Sequence, residues 1–190
     1  YETKFRYALF VILSTIPVGI TGFLFKDKLE SLYSLKGLAI AFLITALALF
    51  IVRNIKGTKD DADIKLKDAL LIGLFQAVTI IPGISRSGTV LVACLLCNLK
   101  RDTALKYTFM LYFPVSVGTL ILGVSDLANT NELASMLVPY LAGMIAAGIV
   151  TFFSYKWLSN LVKNGKLWKF SIYCLSLIHI SEPTRLGMIS

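Results

Sequence analysis

Pro82-Gly-Ile-Ser-Arg-Ser-Gly-Thr89 decides how this chain is read, because it interrupts hydrocarbon-like sequence that has no use for it. Before it runs Ala69-Leu-Leu-Ile-Gly-Leu-Phe-Gln-Ala-Val-Thr-Ile-Ile81, and after it Val90-Leu-Val-Ala-Cys-Leu-Leu-Cys97. An arginine at membrane depth costs about 3 kcal/mol even on the lenient insertion scale. Proline and two glycines break the helix there and free N–H groups that lipid cannot satisfy. A sequence carries both costs together where it binds something anionic. The stretch therefore points to an anion site embedded in a membrane.

The rest of the composition agrees. The 190 residues are 56% hydrophobic, with a mean hydropathy of +0.76, far above a soluble domain. Phe5–Phe25, Leu35–Val52, Ala104–Val124 and Met136–Leu158 are apolar stretches close to the roughly 20 residues that cross about 30 Å of hydrocarbon. Asp68–Leu99, which holds the octapeptide, is a fifth apolar region, and Leu167 begins a sixth, assigned over 167–175. The fold class expected is all-α, a polytopic transmembrane helix bundle. The first span is too long for a cleavable signal, and the opening on Tyr1 predicts a chain that continues upstream.

A net charge of +8 would suit nucleic acid, but the basic residues lie in short connections between spans. That is the pattern of positive-inside topology, so no nucleic-acid partner is expected. Cys94 and Cys97 sit in an apolar run with no second pair and no histidine nearby, and are expected to be small buried side chains. Asp60, Asp61 and Asp63 fall short of a calcium loop in spacing and ligand number. They are read as part of a solvated connection, and no metal ligand is assigned in the chain.

Charge also decides how residues 68–99 cross. If they enter and leave on one side as a re-entrant hairpin, the clusters at 4–6, 53–67, 100–106 and 156–169 share a side. Fourteen lysines and arginines then face three (Lys26, Lys28 and Lys36). A single span gives seven against ten, which is no bias. The hairpin is favoured, with the basic side cytoplasmic. The break at Pro82-Gly83 leaves arms of about 14 and 11 residues, too short to span at 1.5 Å per residue. Two short full spans would give the same parity. Pro17 and Pro114 predict kinks, and Gly19, Gly22, Gly118, Gly123, Gly143 and Gly148 predict close helix packing.

Within the octapeptide, Arg86 offers a permanently charged planar fork suited to phosphate oxygens. Ser85, Ser87 and Thr89 flank it with hydroxyl donors. Gly88 opens the next helix, whose first N–H groups are unpaired and whose dipole favours an anion. Pro82 and Gly83 stop the preceding helix and allow close backbone approach. The competing structural account is a kinked helix with Arg86 paired internally and the serines bonded back to carbonyls. Spacing alone does not separate an enzyme from a phosphate-coupled transporter.

Gln76 followed by Pro82-Gly-Ile-Ser-Arg-Ser-Gly-Thr89 closely resembles the second signature of the bacterial undecaprenyl-diphosphatase family, the bacitracin-resistance type. Ile16-Pro17 with Gly22-Phe-Leu-Phe25, and Lys106 through Phe113-Pro114, resemble that family's helices in the same order, so that the resemblance covers about residues 3–175. It implies a hydrolase of the bacterial inner membrane that removes the terminal phosphate of undecaprenyl diphosphate, regenerating the lipid carrier for cell-wall synthesis. It also implies an inverted-repeat architecture in which the hairpin is one of two re-entrant segments. The substrate would be a polyprenyl diphosphate lipid, and a homodimer is among the assemblies the resemblance allows. By resemblance Arg86 and Ser85 are catalytic, and Ser87, Gly88, Thr89, Gly83 and Gln76 bind phosphate. A transporter or flippase for phosphorylated lipid or small anions is the alternative.

Two departures matter. The family's first signature, a glutamate-rich helix followed by a Pro-x-Ser-Ser-Thr-Gly-His-type loop, has no match here, and His179 lies in the wrong place. The divalent cation (Mg or Ca) that the resemblance implies would then take its ligands upstream of Tyr1, and this chain alone is expected to be inactive. Leu177–Ser190 also resembles translated sequencing-adapter sequence, so residues 1–175 are taken as part of the membrane domain and 176–190 as a foreign tail.

Overall fold

A computed structural model describes residues 2–29, 35–128 and 133–181, with their side chains except at 26–36, 122, 124–137 and from 177 on. Eight α-helices follow one another among the described residues: α1 (Glu2–Leu29), α2 (Leu35–Val52), α3 (Leu66–Val78), α4 (Arg86–Leu96), α5 (Arg101–Met110), α6 (Tyr112–Ala128), α7 (Leu133–Lys163) and α8 (Leu167–Ser181). A 3-10 turn at Asp61–Asp63 lies between α2 and α3. Three stretches, Glu2–Phe25, Arg101–Ile121 and Val138–Lys163, are long and apolar enough to cross a membrane. The protein is an all-α membrane bundle.

The centre of the bundle is α4. Val90 through Leu95 are all at most 4% exposed, which an apolar helix achieves only when other elements cover every side of it. α2, α3 and α5 pack directly against it, while α1 lies along α3 and α8 along α2. The core around it takes Leu49 and Val52 from α2, Ile72 from α3, Leu105 and Tyr107 from α5, Val162 from α7 and Leu167 from α8. α3 is one-sided: Ala69, Ile72, Gly73 and Gln76 face inward, and Leu70, Leu74 and Val78 face out.

The segment holding the octapeptide leaves and returns at one place. The N–H groups of Thr58 and Lys59 both donate to the Asn98 carbonyl at 2.9 Å, and the Lys100 N–H donates to the Lys59 carbonyl at 2.9 Å. The loop between α2 and α3 is thereby stitched to the start of α5, and α3 and α4 form a helix-loop-helix hairpin. Charged side chains gather at this end. Lys59 pairs with Asp68 (2.9 Å), Lys100 with Asp60, Lys106 with Asp61 and Lys163 with Asp102 (3.4 Å). Arg101 donates to the carbonyls of Arg53 (2.8 Å) and Ile55 (3.1 Å), satisfying the open end of α2. Thus Asp60, Asp61 and Asp68 serve as ion-pair partners for three different lysines, a more structured role than a solvated connection.

The expected span Ala104–Val124 is shared by α5 and α6, which meet at Leu111 within the stretch Arg101–Ile121 that is long and apolar enough to cross. Pro114 accounts for the break, since it has no N–H for the Met110 carbonyl and its ring crowds that oxygen. α1, by contrast, runs through Pro17 without interruption. Of the glycines expected at packing faces, Gly22 lies beside Ile80, whose Cδ1 would stand 3.4 Å from a Cβ there, while among the described residues a Cβ at Gly19, Gly118, Gly123, Gly143 or Gly148 would meet nothing within 4 Å. Gly73 is instead the close contact, because a Cβ there would lie 2.8 Å from the Ser14 carbonyl of α1. The connections expected on the far side, Lys26–Lys36 and Ser125–Ser135, and the tail from residue 182, lie wholly or partly outside the described residues.

Candidate functional site

The octapeptide is the turn between the two arms of the hairpin. α3 ends at Thr79, whose hydroxyl caps the Gln76 carbonyl at 2.6 Å. The chain then turns through Pro82 and Gly83. Gly83 has φ +91°, where only glycine is unstrained, and its α-carbon faces α2 so closely that a Cβ would lie 2.9 Å from the Ala41 Cβ. Gly83 therefore serves the turn and its packing on α2.

Ser85 is the N-cap of α4, its Oγ accepting the Gly88 N–H at 3.2 Å. A serine here satisfies an otherwise orphaned donor and fixes the start of the helix. Glycine suits position 88, since a Cβ would sit tightly against the Ser85 Oγ and the Thr45 Cγ2, both at 3.2 Å. The Ser85 and Ser87 hydroxyls stand 3.5 Å apart. Arg86 occupies the first helical position, half-buried, its Cζ 6.0 Å from the ring centroid of Tyr112 at the start of α6. Among the described residues its guanidinium has no carboxylate and no hydrogen-bond acceptor. The internal pairing required by a purely structural kink is thus not seen there.

The donors at this helix start can be followed one at a time. The Ser85 N–H goes to the Thr45 Oγ1 at 3.4 Å, the Gly88 N–H to the Ser85 Oγ, and the Thr89 N–H to the Ser85 carbonyl at 2.9 Å. The N–H groups of Arg86 and Ser87 have no acceptor among the described residues. Two adjacent N–H groups, a guanidinium and the Ser87 hydroxyl thus stand at the positive end of a helix dipole, a donor set that matches phosphate. Ser87 and Gly88 also border a narrow crevice whose other walls are apolar apart from Thr108, among them Leu91, Phe109, Leu158 and Phe170.

The structure therefore brings Ser85, Arg86, Ser87, Gly88 and Thr89 together on one turn. Gln76 is set apart, one turn from the end of α3. It is fully buried, and neither its Oε1 nor its Nε2 has a partner, an arrangement that is costly unless something polar reaches it. No described hydrogen bond links it to the turn. Two neighbours escaped the sequence reading. Thr45 carried a signal, as the only polar side chain between Lys36 and Arg53; Tyr112 carried none. A divalent cation does not fit the donors described here: among the described residues no three histidines, cysteines, aspartates or glutamates come together, and the turn itself offers cationic and hydroxyl groups.

Comparison with known proteins gives this geometry a context. Over 175 residues the chain is 44% identical to undecaprenyl-diphosphatase 1 of Bacillus cereus, covering 92% of this chain and 65% of that one. It is 43% identical over 175 residues to undecaprenyl-diphosphatase 1 of Bacillus licheniformis, with 91% and 65% covered. The undecaprenyl-diphosphatase of Oceanobacillus iheyensis is 41% identical over 177 residues, with 92% and 64% covered. This chain thus spans about two thirds or slightly less of the length of these relatives. Residues 1–179, octapeptide included, match the family described as bacitracin resistance protein BacA, and the chain belongs to that family.

Proposed function

We propose that the whole protein to which these residues belong hydrolyses undecaprenyl diphosphate, releasing inorganic phosphate and leaving undecaprenyl phosphate for reuse as a lipid carrier in cell-wall synthesis. The observation that carries the reading is the unpaired Arg86 guanidinium at the start of α4, beside the open N–H groups of Arg86 and Ser87. The relatives' names support the choice of substrate, and being phosphatase names they give no support to the transport alternative.

In this reading Arg86 binds the terminal phosphoryl group through its fork and stabilises the charge that gathers on the oxygens as the bridging P–O bond breaks. The Ser87 hydroxyl and the two open N–H groups orient the same oxygens. The Ser85 oxygen is engaged by the Gly88 N–H, so its proton is left to donate. Thr89, one residue on, adds a hydroxyl on the same turn, and Gln76 supplies a buried polar group from α3. Gly83 and Gly88 let the turn pack closely on α2, which holds these donors in place. A divalent cation, when bound, would neutralise phosphate charge, with its carboxylates coming from outside the residues described here.

The placement follows the same logic. We infer a multi-pass protein of the bacterial inner membrane with the hairpin re-entrant from the cytoplasmic side. The stitch between residues 58–59 and 98–100 and arms of 13 and 11 residues support that entry.

The test is phosphate release from undecaprenyl diphosphate by this chain completed with the part of the Bacillus cereus relative it does not cover, with and without a chelator. Chelator-sensitive release that disappears with Arg86→Gln is expected. A folded protein that binds the lipid and releases no phosphate would overturn the reading.

A further inference from the structure

Thr45 lies on the face of α2 that receives the hairpin turn and is 2% exposed. A hydroxyl in an apolar helix commonly bonds back to the carbonyl four residues earlier, and Thr45 does so, donating to Ala41 at 3.0 Å. That bond uses the only proton the hydroxyl has. What remains is an acceptor, and the Ser85 N–H occupies it at 3.4 Å. The methyl group has separate work: the Cγ2 closes the space beside Gly88, 3.2 Å from where a Cβ would sit. One α2 side chain thus touches both residues whose mutual bond caps α4. Back-bonding alone explains the Ala41 contact and neither of the others.

We propose that Thr45 is a positioning residue for the phosphate-binding turn. By accepting the Ser85 N–H it draws that donor away from the site and leaves the Arg86 and Ser87 N–H groups, with the Arg86 fork, as the set presented to a lipid diphosphate. The role rests on the phosphate-site reading given above. Without the Thr45 acceptor, the Ser85 N–H is an orphan that is free to turn, and the cap it belongs to loses its register against α2.

The experiment measures binding of undecaprenyl diphosphate to the full chain in nanodiscs, with a thermal unfolding temperature for each variant. Thr45→Val keeps the shape and removes the acceptor; Thr45→Ser keeps the acceptor and removes the methyl. Valine is expected to weaken binding about tenfold, the scale of one buried hydrogen bond, with unfolding lowered by about 2–4 °C. Serine is expected to stay within about threefold of the unaltered chain. Valine binding as well as threonine, while Arg86→Gln loses binding, would overturn the positioning role and leave the phosphate site standing. Equal weakening by valine and serine would also overturn it, making the side chain a packing element only. No binding by the unaltered chain, or no effect of Arg86→Gln, would overturn the phosphate site and this role with it. If the valine chain is lost from the membrane fraction, Thr45→Ser and Thr45→Ala make the same comparison of acceptor kept against acceptor lost.

Discussion

At Arg86, charge alone would be met by lysine, so the shape of the side chain is what can be tested. A guanidinium makes two parallel bonds to a phosphoryl group; an ammonium is a point charge on a flexible stem. Arg86→Lys is expected to weaken undecaprenyl diphosphate binding by about 2 kcal/mol, read by titration in nanodiscs, with thermal unfolding unchanged. Gly88→Ala makes the opposite division. Its new methyl would meet the Ser85 Oγ and Thr45 Cγ2 at 3.2 Å, so a stability loss of about 1–3 kcal/mol is expected from overpacking, seen as a lower unfolding temperature before any ligand is added. These residues were legible in the sequence because arginine, proline and paired serines are costly in an apolar run and so announce themselves. Tyr112 was not, since a tyrosine within an apolar stretch is ordinary, and only the folding of α6 beside the turn places its ring near Arg86.

At the scale of the helices, the contact of α1 with α3 turns on a glycine. Gly73 lets the Ser14 backbone of α1 approach, and the Ser14 hydroxyl then donates to the Ala69 carbonyl at 2.7 Å and lies 2.9 Å from the Tyr107 hydroxyl of α5. Three helices meet on one serine. Gly73→Ala is expected to cost about 1–3 kcal/mol, because the obstacle is backbone and cannot rotate away; thermal unfolding would show it. Apolar length located α1 and α2 well, as length and apolarity are properties of each helix alone. It says less where the answer depends on a partner. Gly143 and Gly148 look like a packing face, and among the described residues nothing lies against them, whereas Gly73 makes a close contact without any repeating pattern to mark it. The division at Leu111 was missed for a related reason: Pro114 signals a bend, but its own sequence does not say whether the helix bends or stops.

For the molecule as a whole, the proposed re-entrant hairpin would place Lys65, before α3, and Lys166, after α7, on the same side of the bilayer, where a single span would separate them. Both are exposed. Cysteines placed at Lys65 and Lys166 are expected to react with a membrane-impermeant maleimide from the same side only, in inverted vesicles and not in intact cells; reaction from opposite sides would refute the hairpin topology. Charge counting favours this arrangement, because loops on one side of a membrane carry the excess of lysine and arginine together, and the maleimide reaction is what decides it. The burial of Val90–Leu95 in the middle of α4 has a consequence for how the protein is made. A helix about 16 Å long that begins with an arginine and whose middle is covered by protein has little to gain from contact with lipid. A segment of that kind does not leave an insertion channel sideways on its own account. Its surroundings include Leu105, Val162 and Leu167, all synthesised after it, so the octapeptide turn reaches its final setting only after those later helices exist, and biogenesis must hold the hairpin unseated until they arrive.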